Sequence, residues 1–174
     1  MDISTILDRL STSPQMFSNC CVAISSTLIS NLTSILPQKP GFTISIGSGS
    51  GLLEALITHC HPNVRVEGVE VNSSVNRYLP EEDIHVVGGT WGLHSRVSQA
   101  QAWMFVYPRE PKLVNKYLDT YGDQIVGIIV WLGPRVDWAD YEPCFRESPF
   151  SKMSFSEDVG LAPYEMLVVM RRKS

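Results

Sequence analysis

The stretch Phe42-Thr-Ile-Ser-Ile-Gly47-Ser-Gly49-Ser-Gly51-Leu-Leu-Glu-Ala-Leu56 carries an apolar, β-type run into an amphipathic helix through a turn with three glycines. Glycine takes backbone dihedrals closed to other residues and, having no side chain, lets a ligand lie against bare peptide. The helix that follows presents free N–H groups and the positive end of its dipole, which favour a carboxylate or phosphate. An ordinary tight strand-to-helix connection also uses glycine, so the reading depends on what surrounds the turn.

A second β-type run, Val64-Arg-Val-Glu-Gly-Val-Glu70-Val71, follows one helix later, and its terminal carboxylate falls nineteen residues past Gly51. In a βαβ unit an acidic side chain about 20 residues beyond the glycines accepts hydrogen bonds from the ribose hydroxyls. The spacing is Gly-x-Gly-x-Gly. A dinucleotide turn, Gly-x-Gly-x-x-Gly/Ala, needs a small residue where Leu52 stands, and such folds often open with the glycine strand near the N-terminus, whereas 41 residues precede Phe42 here.

The glycine spacing, the run Gly68-Val-Glu-Val-Asn-Ser-Ser74 and the terminal Tyr164-Glu-Met-Leu-Val-Val-Met-Arg-Arg172 resemble the class I S-adenosylmethionine (SAM) methyltransferases, over about residues 42 to 171. The resemblance implies an α/β fold. Its form is a three-layer Rossmann-like sandwich with a mostly parallel seven-stranded sheet and an antiparallel last strand, preceded by N-terminal helices in residues 1–41. It implies SAM as cofactor, with Ser45, Gly47, Ser48, Gly49 and Gly51 at its methionine end and Glu70 on the ribose. Val71, Thr90 and Trp91 then border the adenine. Three positions depart from the family pattern. Ser45 stands where Asp or Glu is usual, no carboxylate follows the third strand, and Val106-Tyr-Pro-Arg109 lacks the Asp or Asn of the amino-methylating loop. The last departure argues against nucleobase or exocyclic amine methylation.

With 174 residues the chain is long enough for one domain with a real core, though small for that family, with little room for a substrate lid. Net charge is −4, and Arg171-Arg172-Lys173 is the one basic cluster, so electrostatics argue against a nucleic-acid groove. The four cysteines, Cys20, Cys21, Cys60 and Cys144, make no Cys-x-x-Cys pair or metal spacing and read as free thiols in a reducing compartment. Cys20 to Leu36 is too interrupted by serine, threonine and asparagine to span a bilayer. These features predict a cytoplasmic protein without a membrane partner.

Ile3, Ile6, Leu7 and Leu10 recur at helical spacing, and Ser13-Pro14 reads as the start of a second helix running to about Leu36. Beyond Glu70 the pattern predicts strand 84–87, a short helical or irregular stretch 92–101, strand 103–107, helix 111–121 closed by Gly122 and strand 125–132. A loop or short helix and strands near 153–155 and 164–171 complete the chain. Such alternation predicts a parallel sheet covered on both faces.

Methyl transfer from a sulfonium is an in-line displacement, in which holding the partners in contact supplies effective molarities of about 10⁵ M or more. If a base assists, His94, Tyr107 and Glu110 are the candidates, each with a plain packing or helix-start alternative. Trp91, Trp131 and Trp138 at or beyond strand ends could wall an apolar acceptor pocket. The expected activity is methylation of a small molecule. The alternatives are a methyltransferase-fold scaffold without that activity and, less compatible with Leu52, a nicotinamide-dependent reductase. A homodimer or a partner protein is compatible with the N-terminal helices or the last strand.

Overall fold

The computed structural model describes every residue except Thr90. The apolar runs become strands β1 (Thr43–Ile46), β2 (Val66–Glu70), β3 (Ile84–Val86), β4 (Ala102–Val106), β5 (Ile128–Pro134), β6 (Lys152–Phe155) and β7 (Glu165–Arg171). They form one sheet in the order β3-β2-β1-β4-β5-β7-β6. β1 pairs in parallel with β2 and β4, β2 with β3, and β4 with β5, while β7 runs antiparallel to both β5 and β6. The helices are α1 (Ile3–Arg9), α2 (Ser26–Ile35), α3 (Leu52–Cys60), α4 (Pro111–Tyr121) and α5 (Trp138–Arg146).

Side chains alternate across the strands and so feed two cores. Ala102 and Met104 of β4 pack with Ile6, Leu28, Leu32, Leu53 and Leu56, which places α1, α2 and α3 on one face. Trp103 and Phe105 pack with Val114, Tyr117, Trp138 and Phe145, which places α4 and α5 on the other. The three-layer arrangement read from the sequence is the one formed. The strand order reverses between β1 and β4, so the crevice beyond their carboxyl ends is where an open α/β sheet takes its ligand.

The second N-terminal helix is shorter than its apolar spacing predicts. Residues 14–25 fold instead as a turn in which Gln15 and Ile24 exchange backbone hydrogen bonds of 2.9 and 2.8 Å, with Asn19 at φ 64°. Ser25 stops any earlier start: its hydroxyl accepts from Leu28 N at 3.0 Å and donates to Gly160 O at 2.6 Å. Strand β5 starts at Ile128, not Ile125, and continues to Pro134, and the segment beyond it forms α5.

Candidate functional site

Gly47, Gly49 and Gly51 all have left-handed φ, at 80°, 59° and 78°. They are not equivalent. A Cβ at Gly51 would press on Leu79 at 2.9 Å, so that glycine serves packing, whereas a Cβ at Gly47 or Gly49 meets nothing within 4 Å among the described residues. Bare peptide at those two positions faces open space at the end of β1. The turn is fixed from below, because Gly47 N and Ser48 N both donate to Val69 O, at 2.8 and 3.3 Å. Gly68 makes this possible: a side chain there would collide with the Ser48 hydroxyl. The role of Gly68 has no local signal in the sequence, because it depends on Ser48 across the sheet.

Glu70 ends β2 beside the turn. Its Oε2 accepts from Gly49 N at 2.9 Å and its Oε1 from Val71 N at 2.9 Å. Both bonds orient the carboxylate and leave lone pairs on each oxygen for a diol. Val71 and Trp91 are exposed at the ends of β2 and beyond β3, as an apolar ligand wall requires, and Lys116 Nζ donates to Trp91 O at 2.6 Å. Thr90 lies outside the described residues.

Ser45 points from β1 toward α3 and is fully buried with no partner for its hydroxyl; the Ser48 hydroxyl is buried and unpartnered too. Facing Ser45 is Glu54, in the first turn of α3 and only 3% exposed, whose Oε2 has no hydrogen-bond partner. Burial pushes its carboxyl up to about 7, which its own backbone amide and the Ser45 hydroxyl only partly offset. Glu54 was not foreseen, since a glutamate in a first helical turn reads as a solvated residue that suits the dipole.

The three candidate bases fall in separate settings. Tyr107 follows β4 with φ 50°, unusual for a bulky residue, and its hydroxyl donates to Glu165 Oε2 at 2.5 Å. Burial, then the Glu165 contact, holds the phenol far above its ordinary range. Glu165 is fully buried at the start of β7; it also accepts from Ala23 N at 3.4 Å, its Oε1 has no partner, and burial raises its pKa. His94 stands elsewhere. Its ring lies 4.8 Å from that of His85, its Nδ1 accepts from Arg96 N at 3.1 Å, and burial followed by the His85 and Arg96 charges lowers its pKa. His85 and Arg96 both bind the buried Glu67, at 2.6 and 2.9 Å. Glu110 is exposed and precedes α4 without capping it through its side chain. Among the described residues no hydrogen bond or ring contact joins His94, Tyr107 and Glu110 to one another.

A cavity of about 400 Å³ opens beside Glu165, lined also by Thr12, Thr27, Arg135, Asp158 and Gly160. Trp131 and Trp138, proposed above as pocket walls, are buried against each other at 5.1 Å in the α4–α5 core. Among the described residues no cluster of His, Cys, Asp and Glu could hold a metal ion.

The sheet order, the antiparallel β7 and the glycine turn over β1 are those of the class I methyltransferase fold. The sequence matches no family model and no curated protein. Among solved structures the chain is similar to the methyltransferase domain of bacterial CtHen1, with a TM-score of 0.61 and 16% identity over 85% of this chain and 96% of that one. It is similar to a Streptococcus pneumoniae protein assigned to tRNA methylation, with a TM-score of 0.57 and 14% identity over 87% and 71% of the two chains. Human N-acetylserotonin methyltransferase, solved with SAM, gives a TM-score of 0.58 and 11% identity over 85% and 51%. At these identities the likeness is one of fold.

Proposed function

We propose that the chain is a SAM-dependent methyltransferase acting on a small molecule. The observation that carries this is the pair of left-handed glycines, Gly47 and Gly49, whose missing side chains leave open space directly beside the Glu70 carboxylate. Residues present there suit the cofactor's parts: open peptide for the amino-acid end, Glu70 for the ribose, and Val71 with Trp91 for the adenine. When bound, SAM supplies an activated methyl group on a sulfonium. The protein's share is to orient that group against an acceptor and exclude water, which needs no dedicated acid or base.

The 400 Å³ cavity next to Glu165 has a size suited to a small acceptor, although its lining shares no residue with the glycine turn, Glu70, Val71 or Trp91. Charge points the same way. The net charge is −4, and within the terminal basic cluster Arg172 is spent on Val126 O and Gly122 O and on the Phe150 ring, at 4.6 Å. Among the described residues no helix is long and apolar enough to cross a membrane. A non-methylating scaffold is the second reading, favoured by the Tyr107–Glu165 bond, which engages the hydroxyl just beyond β4 with a carboxylate oxygen at the start of β7.

Native mass spectrometry of the purified protein is expected to show co-purified SAM or its demethylated product, together with the oligomeric mass. Titration calorimetry should give micromolar SAM affinity, lost in Gly49→Val while the far-ultraviolet spectrum is kept. Labelled methyl transfer to phenol, amine or carboxylate acceptors supports the first reading; binding without transfer supports the second. Transfer to RNA instead would overturn the small-molecule assignment, and a preference for NADH the cofactor.

A further inference from the structure

Ser45, on β1 just before the glycine turn, brings no charge to the methionine end of the cofactor site, yet a carboxylate from α3 faces it. Side-chain alternation turns Ser45 onto α3, and the third residue of the first nine-residue stretch after the turn, Glu54, comes down from the helix to meet it. Among the described residues neither Ser45 Oγ nor Glu54 Oε2 makes a well-formed hydrogen bond, although the hydroxyl is near enough to favour the charged carboxylate. Resting on the cofactor reading above, we propose that Glu54, with Ser45 beside it, receives the α-ammonium group of the bound ligand's amino-acid end.

Among the described residues no cation meets Glu54. The groups that act on it are its own amide, the Ser45 hydroxyl from β1 and the Glu70 carboxylate from β2, and the Cys20 thiol lies near it in the segment before α2. None is a cation. The contrast with Glu67 is instructive: that carboxylate, 1% exposed, is met by Arg65, His85 and Arg96. An unpaired buried carboxylate is costly and tends to keep its proton, consistent with a pKa of about 7 for Glu54. An arriving ammonium removes that cost. The carboxyl proton then leaves to solvent, the ammonium keeps its own protons, and the pair is neutral overall.

Two ligands separate this from the cofactor reading. S-adenosylhomocysteine has the ammonium; methylthioadenosine has the same nucleoside and no amino-acid end. Wild type should bind both, and Glu54→Gln should lose about 10-fold or more affinity for the first with methylthioadenosine unchanged. Calorimetry in buffers of different ionisation enthalpy should find close to one proton released per S-adenosylhomocysteine at about pH 6, falling toward zero near pH 8, and none in the variant. Folding of Glu54→Gln is read separately from its melting transition. Should that variant not melt cooperatively, Ser45→Ala, a smaller change to the same cradle, must show the selective loss. Equal affinities of wild type and variant for S-adenosylhomocysteine, or the same proton release in both, would overturn the role of Glu54 alone. If wild type binds neither ligand, the cofactor reading falls and takes this one with it.

Discussion

Glu70 is the residue on which the ribose assignment turns. Its two bonds to backbone amides fix the carboxylate without consuming it, so Glu70→Ala should weaken SAM binding by ~1.5 to 3 kcal/mol, the worth of hydrogen bonds to a charged acceptor. Calorimetry with SAM checks this, and an unchanged dissociation constant would place the sugar elsewhere. Glu70 could be found in the sequence because a strand end and a fixed distance from Gly51 define it. Glu54 and Glu165 could not. Each lies in an unremarkable local context, a first helical turn and a strand start, and becomes chemically unusual only when β1 or Tyr107 is brought against it. Gly68 is a third case, since the need for a bare backbone there arises from Ser48, twenty residues away in sequence.

At the scale of elements, the legible parts were those with local punctuation. Helix α4 was bounded by Pro111 and Gly122, and the central strands β4 and β5 were apolar runs between turns, so these emerged within a few residues of expectation. The start of α2 was misread because Ser13-Pro14 carries a local helix-start signal, whereas the deciding contact, Ser25 to Gly160, spans most of the chain. Ser25 is both the N-cap of α2 and the anchor of the loop before β7. Ser25→Ala therefore removes a cap and strands the Gly160 carbonyl, with an expected cost of about 2 kcal/mol or somewhat more. Urea denaturation measures it; a change under about 0.5 kcal/mol, the ordinary range for a surface substitution, would deny Ser25 that double role.

For the whole molecule, two of the three buried carboxylates, Glu67 and Glu54, lie on opposite faces of the sheet with opposite electrostatic fates, and their balance shapes how stability follows pH. Burial pushes Glu67 up, but the hydrogen bonds from Arg96, His85 and Arg65 outweigh it and hold the carboxyl at about 2, below its ordinary 4.5. Its contribution is therefore fully present above pH 4.5 and lost as pH falls through 2. Glu54 runs the other way. With a folded pKa of about 7 against 4.5, the native state holds the proton that the unfolded chain gives up, so stability falls as pH rises through that window and levels off above it. The loss is on the order of 3 kcal/mol, from 1.36 kcal/mol per unit. Glu165, raised by burial, adds to the fall, while His94, depressed below 6.5, opposes it over the same range. The ligand-free protein should thus be more stable at about pH 5 than at pH 8, with the Glu54 share of that decline on the order of 3 kcal/mol. In Glu54→Gln much of that decline should vanish, so that the variant outlasts wild type in urea at pH 8 and not at pH 5. Saturating S-adenosylhomocysteine should remove much of the same decline from wild type, because the ion pair it forms restores a charged Glu54 to favour. Parallel pH profiles for wild type and variant would mean that the buried carboxyl is already compensated inside the protein, leaving no unmet charge for a ligand to answer.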